Sequence, residues 1–356
     1  MIYEDYAIFT PGPVKMSQEI LAIGAKQTPY FRNSEFSQVV HRCEAYLLKM
    51  LNAPTGSRVI FLTASGTAGM ESVVMNLLGA EDHALVVNGG GFGARFVDLC
   101  ESYHVPHDVL PVTEGNLSDI ERWVRGEEYT ALVLNAHETS VGHLYDLPAI
   151  GAFCHKHNLL NIVDAISMFV TDPIDMQQHH IDTVILSSQK GLALPPGLTM
   201  VVLNPKAIAK IGEVQSHYFN FKNYLKDGER GQTPYTPAVT ILLQLLARLE
   251  QIEREGGVEA TIQRAKEMAT YFREQIKGLP LRAYTPFMPN AMTTLTPTDG
   301  WGASEIVHAL ERDAKVMVCP NGGALQETIF RVSHMGEMDR AYVDVLVDAL
   351  RELYAH

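Results

Sequence analysis

The sequence predicts an α/β protein, with a mainly parallel sheet covered by helices on both faces and a smaller α+β domain after it. Three observations lead there. Between residues 58 and 204, short apolar runs alternate with helical stripes, the rhythm of parallel strands joined by crossover helices. The runs (VIFL, ALVV, ALVL, VIL, MVVL, and IV of LLNIVDA) are apolar at successive positions, as strands buried on both faces require. After residue 213 the rhythm breaks, and helices then mix with separated strands. At 356 residues the chain is long enough for about two domains. By this reading they are an N-terminal segment 1–14, a large domain 15–240 and a small domain 241–356.

The opening IFTPGPVKMS is an extended run broken by Pro11, Gly12 and Pro13, after which Ser17 can cap a first helix. Ser34 precedes Phe36, Val39, Val40, Cys43 and Leu47, a second helical stripe. Strand and helix then alternate. RVIFLTA (58–64) leads into GTAGMESVVMNLL (66–78), and HALVVNG (83–89) into FGARFVDLCESY (92–103). HDVLPV (107–112) leads into a helix over LSDIERWV (117–124), and TALVLNA (130–136) into LPAIGAFCHKH (147–157). Three further strands follow, LLNIVDA (159–165), TVILSS (183–188) and LTMVVLN (198–204). Residues 213–237 are too long and aromatic for a plain linker, and loops of this kind usually carry function. A long helix over 237–255 ends at Gly256-Gly257. The rest reads as helices at 258–277, 303–313 and from Asp339, with strands at AMTTLTP (291–297), VMVCP (316–320) and TIFRVSH (328–334).

Composition narrows the function classes. An apolar fraction of 46% and a charged fraction of 19% describe a soluble globule. A net charge of -13 argues against nucleic acid or an anionic membrane as partner, so any bound anion must be held by local geometry. No run approaches the ~20 apolar residues of a membrane span. MIYEDYAIF carries acids where a secretion signal would be basic, which places the protein in the cytoplasm. Cys43, Cys100, Cys154 and Cys319 lie far apart, which excludes a disulfide scaffold or a thiolate zinc site, and none falls in a recognisable active-site loop. Cys154, His155 and His157 suit a helix end better than a metal, and no metal is expected.

The chemistry centres on Lys190, held on a polar turn between two apolar strands. A buried ammonium is costly unless it is paired, neutralised or covalently used. Asp164 ends the neighbouring strand LLNIVDA. An amine and an acid at adjacent strand ends suit pyridoxal phosphate, whose aldehyde condenses with lysine and whose ring nitrogen pairs with a carboxylate. A structural Lys–Asp ion pair is the alternative. In ASGTAGMES, Ser65, Gly66 and Thr67 follow a strand and open a helix, a geometry that cradles phosphate or simply caps the helix. NGGGFGAR has two readings. Gly89, Gly91 and Ala94, with Asp108 downstream, match a dinucleotide fingerprint and so a nicotinamide-dependent dehydrogenase. Otherwise the glycines admit a ligand and Phe92 offers its face to an aromatic ring. HETSVG places Glu138 and Thr139 at the same sheet edge, where Thr139 can reach a ring hydroxyl or merely make a turn. Arg331 lies in an apolar strand with no acid beside it in sequence, which suits a substrate carboxylate or a structural partner from the other domain.

In this order, TPGPV (10–14), SGT (65–67), NGGGFGAR (88–95), HETSVG (137–142), VDAIS (163–167), SSQKGLALPPG (187–197), TPYTPAV (233–239) and FRVSHMG (330–336) resemble the class V aminotransferases. Within them the nearest branches are the alanine/serine–glyoxylate aminotransferases and the 2-aminoethylphosphonate–pyruvate transaminases. The resemblance covers nearly the whole chain, and SSQK with PPG is its specific part. It implies pyridoxal phosphate fold type I, a homodimer, and transfer of an amino group from an alanine- or serine-type donor to glyoxylate or pyruvate. The alternative donor it implies is 2-aminoethylphosphonate. By position it makes Lys190 the Schiff-base lysine and Asp164 the pyridinium partner. It sets Phe92 on the ring, Thr139 at the ring hydroxyl, and Gln189 at the phosphate beside Ser65, Gly66 and Thr67. Thr233 and Thr236 match a loop that completes the phosphate site of the second subunit, and Arg331 matches the substrate-carboxylate arginine. HETSVG departs from the family's ESSTG and ETTTG forms, and phenylalanine stands where tryptophan or tyrosine is common, so the reaction is better defined than the donor.

Overall fold

The computed structural model describes residues 5–113, 115–124 and 128–355. The chain begins with β1 (Ala7–Ile8), α1 (Gln18–Gly24) and α2 (Ser34–Met50). Ser17 and Asn33 start the two helices by accepting from Ile20 N and Phe36 N. Alternation follows: β2 (Arg58–Leu62), α3 (Gly66–Leu77), β3 (Ala84–Asn88), α4 (Gly91–Ser102), β4 (His107–Pro111) and β5 (Ala131–Asn135). A small hairpin, β6 (His137–Glu138) with β7 (His143–Leu144), precedes α5 (Leu147–Lys156). Then come β8 (Leu160–Asp164), β9 (Thr183–Ser187), β10 (Thr199–Leu203), α6 (Pro205–Lys210) and α7 (Phe221–Gly228), the last inside the long aromatic segment.

Seven strands form one sheet in the order β2-β10-β9-β8-β5-β3-β4. All neighbours run parallel except β10, which is antiparallel to both β2 and β9. Each central strand feeds two cores by turns. Phe61, Leu85, Leu132, Val163 and Val184 pack on one face with α2 and α5, whereas Ile60, Val86, Val133, Ile162 and Ile185 pack on the other with α3 and α4. Burial on both faces is the reason these strands read as continuous apolar runs.

The chain continues through α8 (Val239–Arg254), α9 (Gly257–Gln275), β11 (Leu281–Ala283), β12 (Met292–Pro297), α10 (Ala303–Ala314), β13 (Val316–Met317), β14 (Cys319–Pro320), β15 (Phe330–Ser333) and α11 (Arg340–Leu353). Strands β11-β12-β15-β14 form an antiparallel sheet backed by α9, α10 and α11. The N-terminal segment joins it, because β1 pairs with β13 and Phe9 enters its core. Helix α8 buries Leu242, Leu245, Leu249 and Ile252 in the core of the seven-stranded sheet, while Phe272 of α9 packs in the core of the four-stranded one.

One predicted helix is corrected. Over 117–124 only a single 3-10 turn forms, at Ile120–Arg122. Leu117 adopts a left-handed backbone (φ +64°), which breaks the first turn, and Trp123 is exposed, so too few apolar residues anchor a helix there.

Candidate active site

The carboxyl ends of β2, β3, β5, β8 and β9 meet at one edge of the sheet, where such folds bind ligands. A cleft of about 140 Å3 lies there. Ser65, Gly66, Thr67, Phe92, Thr139, Asp164, Gln189 and Lys190 all line it, together with Arg95 and Ser167. Residues 125 positions apart in sequence are thus brought into one space by the register of parallel strands.

At the mouth of α3, Ser65 is the N-cap residue, yet its side chain makes no capping bond. The hydroxyl and the first N–H groups of α3 are left for a ligand at the positive end of the helix. Gly66 is pressed against the next layer, since a Cβ there would lie 2.5 Å from Ile166. Gln189 accepts from Ser187 Oγ (2.6 Å), which fixes its amide beside the cradle. Arg95 closes the ring of donors by reaching Thr67 Oγ1 (2.9 Å). A phosphate dianion fits this set: uncommitted hydroxyl, helix N-terminus, amide and one guanidinium. The sequence reading missed Arg95; the available signal was its i+3 spacing from Phe92, which puts both on one face of α4. The guanidinium indeed sits 4.9 Å from the Phe92 ring centroid.

Deeper in the cleft, Asp164 accepts from Ile166 N (2.8 Å) and is 6% exposed. Burial pushes its carboxyl up to about 7, and the Glu138 charge adds to the shift, while the Ile166 bond, Lys190 and Arg95 oppose it. Lys190 is pushed down to about 8, first by burial and then by the Arg331 charge, with Asp164 opposing. Neither group therefore rests easily as a plain ion pair, and both suit a cationic ring nitrogen and an aldehyde placed between them. The N-terminal TPGPV loop leans on the lysine stem: a Cβ on Gly12 (φ +141°) would lie 2.7 Å from Lys190 Cδ. Thr139 Oγ1 meets Ser167 Oγ and also lies 3.3 Å from His137 O.

Arg331 reaches over from β15 of the four-stranded sheet. Its Nη1 donates to Thr139 O (3.1 Å) and its Nη2 to Pro320 O (2.7 Å). Its Nε is buried without a partner, and among the described residues no carboxylate pairs with it. Beside it stands Cys319, paired in register with Arg331 across β14 and β15. No active-site loop carries it: strand pairing brings in a residue that no local motif marks. Burial raises the Cys319 thiol, so it remains protonated. Thr233 and Thr236 do not line the cleft of their own chain: Thr233 Oγ1 donates to Tyr235 O (2.7 Å), and Thr236 is exposed.

The dinucleotide reading fails on geometry. The N–H groups of Phe92 and Gly93 at the start of α4, where a pyrophosphate would sit, are taken by the buried Glu138 carboxylate at 3.3 and 2.9 Å. Asp108 lies near the amino end of β4, opposite Leu85, and pairs with His83, so it faces away from the glycines that follow β3. Among the described residues no group of three or more His, Cys, Asp or Glu side chains could hold a metal, and no helix is long and apolar enough to cross a membrane.

Comparison with known proteins agrees with this arrangement. The aminotransferase class-V family signature matches residues 21–342. A protein of Synechococcus sp. (strain PCC 6716), named soluble hydrogenase, small subunit, is 30% identical over 98% of this chain and 92% of its own. The L-aspartate–glyoxylate aminotransferase of Paracoccus denitrificans is 27% identical over 94% of this chain and 87% of its own. The crystal structure of an aspartate aminotransferase of subgroup IV from Thermus thermophilus superposes with a TM-score of 0.89 at 25% identity, covering 98% of this chain and 99% of that one.

Proposed function

Because the chain belongs to the class V aminotransferases, enzymes that use pyridoxal 5'-phosphate, we propose that it moves an amino group from a small donor of the alanine or serine type to glyoxylate or pyruvate. Bound in the cleft, the cofactor supplies an aldehyde that takes up the amino group and a ring that draws electrons from the substrate carbon. The residues do the rest. Ser65, Gly66, Thr67, Gln189 and Arg95 hold the phosphate, and Phe92 covers one ring face. Asp164 keeps a proton on the ring nitrogen. Lys190, once free, carries a proton between the substrate carbon and the cofactor, a task suited to an amine lowered to about 8. Arg331 anchors the carboxylate that donor and acceptor share.

The observation that carries the substrate reading is the unpaired Arg331 next to Lys190. Among the described residues it is the cation whose charge acts on Lys190, Arg95 being directed to Thr67 at the phosphate cradle. One carboxylate is thereby matched, and among the described residues lining the cleft no further cation stands free for a donor carrying a distal anion. The test is a panel of alanine, serine, aspartate and 2-aminoethylphosphonate against pyruvate and glyoxylate, with the oxo acid measured. Alanine or serine should lead, and preference for either anionic donor would sink the substrate assignment. We further propose a homodimer, supported by the unassigned hydroxyl of Thr236, and a cytoplasmic site of action, supported by four cysteines that all remain unpaired.

A further inference from the structure

A second cavity, of about 330 Å3, opens where the end of α8 and the start of α9 meet residues 334–338 of the small domain. It shares no lining residue with the cofactor cleft, but Gly191, the residue after Lys190, forms part of its wall. At its back lies Arg248, only 8% exposed. No carboxylate pairs with it among the described residues. Its Nη1 donates to Gln251 Oε1 (2.9 Å), its Nε is buried without a partner, and Nη2 has no bond. The charges of Glu337, Glu255 and Glu19 reach it, but none of these acids forms an ion pair with it. Glu255 accepts from Gln251 Nε2 (2.9 Å) and Arg264 Nη2 (2.8 Å), and Glu337 is exposed at the rim. A guanidinium this deeply buried with no carboxylate bonded to it favours an anion that can reach it.

We propose that this cavity binds a small oxyanion, phosphate or carboxylate, on the fork of Arg248, with Arg264 and Thr261 at its edge. The occupant would brace the lysine turn from behind. A Cβ on Gly191 would lie 2.4 Å from Phe169 O, so this turn is pressed on the Val170–Thr171 segment that forms another part of the wall.

The test uses cofactor-saturated enzyme, titrated with inorganic phosphate and separately with acetate at constant ionic strength, against chloride, reading the thermal midpoint. Filling the cofactor cradle removes one competing anion site, and Arg331→Ala removes the other. A saturable rise with either anion is expected in the native enzyme and in Arg331→Ala, and the anion that gives it identifies the ligand chemistry. Half-saturation should weaken by about tenfold or more in Arg248→Gln. Glu337→Gln removes only a rim acid, leaves the fold intact and should tighten binding severalfold, which decides the matter even where Arg248→Gln fails to fold. No saturable rise with either anion, or a rise indifferent to both Arg248→Gln and Glu337→Gln, overturns the proposal.

Discussion

Lys190 and Asp164 share a cleft in which burial disfavours the charged form of each, and this sets a pH dependence of known sign. From about 4 to about 7 the folded, cofactor-free protein keeps a proton on Asp164 that the unfolded chain has lost, so stability falls as pH rises. From about 8 to about 10.5 the unfolded chain keeps a proton that folded Lys190 has lost, so stability rises with pH. Between pH 7 and 8 the charged carboxylate costs on the order of 4 kcal/mol and the charged amine on the order of 3. Asp164→Asn should therefore raise the unfolding midpoint of cofactor-free protein near pH 7.5, with the gain fading toward pH 4, while turnover drops by roughly two to four orders of magnitude. A lower midpoint at pH 7.5 would show that burial is not what shifts this carboxyl. The proposed role of Arg331 makes a separate prediction. If it anchors the substrate carboxylate, removing it would leave that carboxylate desolvated and unpaired, at a cost of roughly 2 to 5 kcal/mol in transition-state binding, and lysine would restore charge without the fork. Both Arg331→Ala and Arg331→Lys should fail in the half-reaction with the oxo acid. Wild-type efficiency there in the alanine variant would make the arginine structural.

At the scale of elements, Glu138 organises the site without entering the cleft. Its carboxylate accepts from Gly93 N and Phe92 N at the start of α4, from Ser140 N (3.1 Å) and Oγ (2.6 Å), and from Asn135 Nδ2 (3.1 Å). It thus locks the helix that presents Phe92 and Arg95 to the β6–β7 hairpin that presents Thr139. Glu138→Gln keeps the shape but sets an NH2 group against backbone donors and removes charge from a helix N-terminus, which should cost about 1 to 3 kcal/mol of stability. Chemical unfolding and retention of cofactor on dialysis should both register the loss; unchanged retention would assign Glu138 to stability alone. Such couplings also mark what was legible in the sequence. The cleft residues could be placed because each apolar run ends in a polar residue, and parallel strands bring their ends together. The Glu138 cap and Cys319 could not, because they depend on contacts made across long stretches of chain. LSDIERWV misled for a related reason: its apolar spacing is helical, but burial reaches Leu117 and Ile120 and not Trp123.

At the scale of the molecule, the loop carrying Thr233 and Thr236 is held rigidly against the large domain and away from its own cleft. Arg32 donates to Thr233 O (2.8 Å) and Pro234 O (3.3 Å), and Gln232 donates to Phe31 O (3.1 Å) and Ser37 Oγ (2.8 Å). Under the proposed homodimer, a twofold axis would carry this exposed hydroxyl to the second cleft. Sedimentation should then show a dimer whose sites are shared. Lys190→Ala subunits lack the amine, and Thr236→Val subunits would spoil the partner's phosphate cradle, so each homodimer should be inactive or weak. Mixing them gives hybrids in which the Thr236→Val chain keeps its lysine and receives an intact threonine from its partner. With random exchange half the dimers are hybrids, each with one complete site, so the mixture should recover roughly a quarter of wild-type activity. If the mixture never exceeds the sum of its parents, or if Thr236→Val alone is fully active, the loop does not complete the neighbouring site and each chain must close its own phosphate cradle with Arg95 and Gln189.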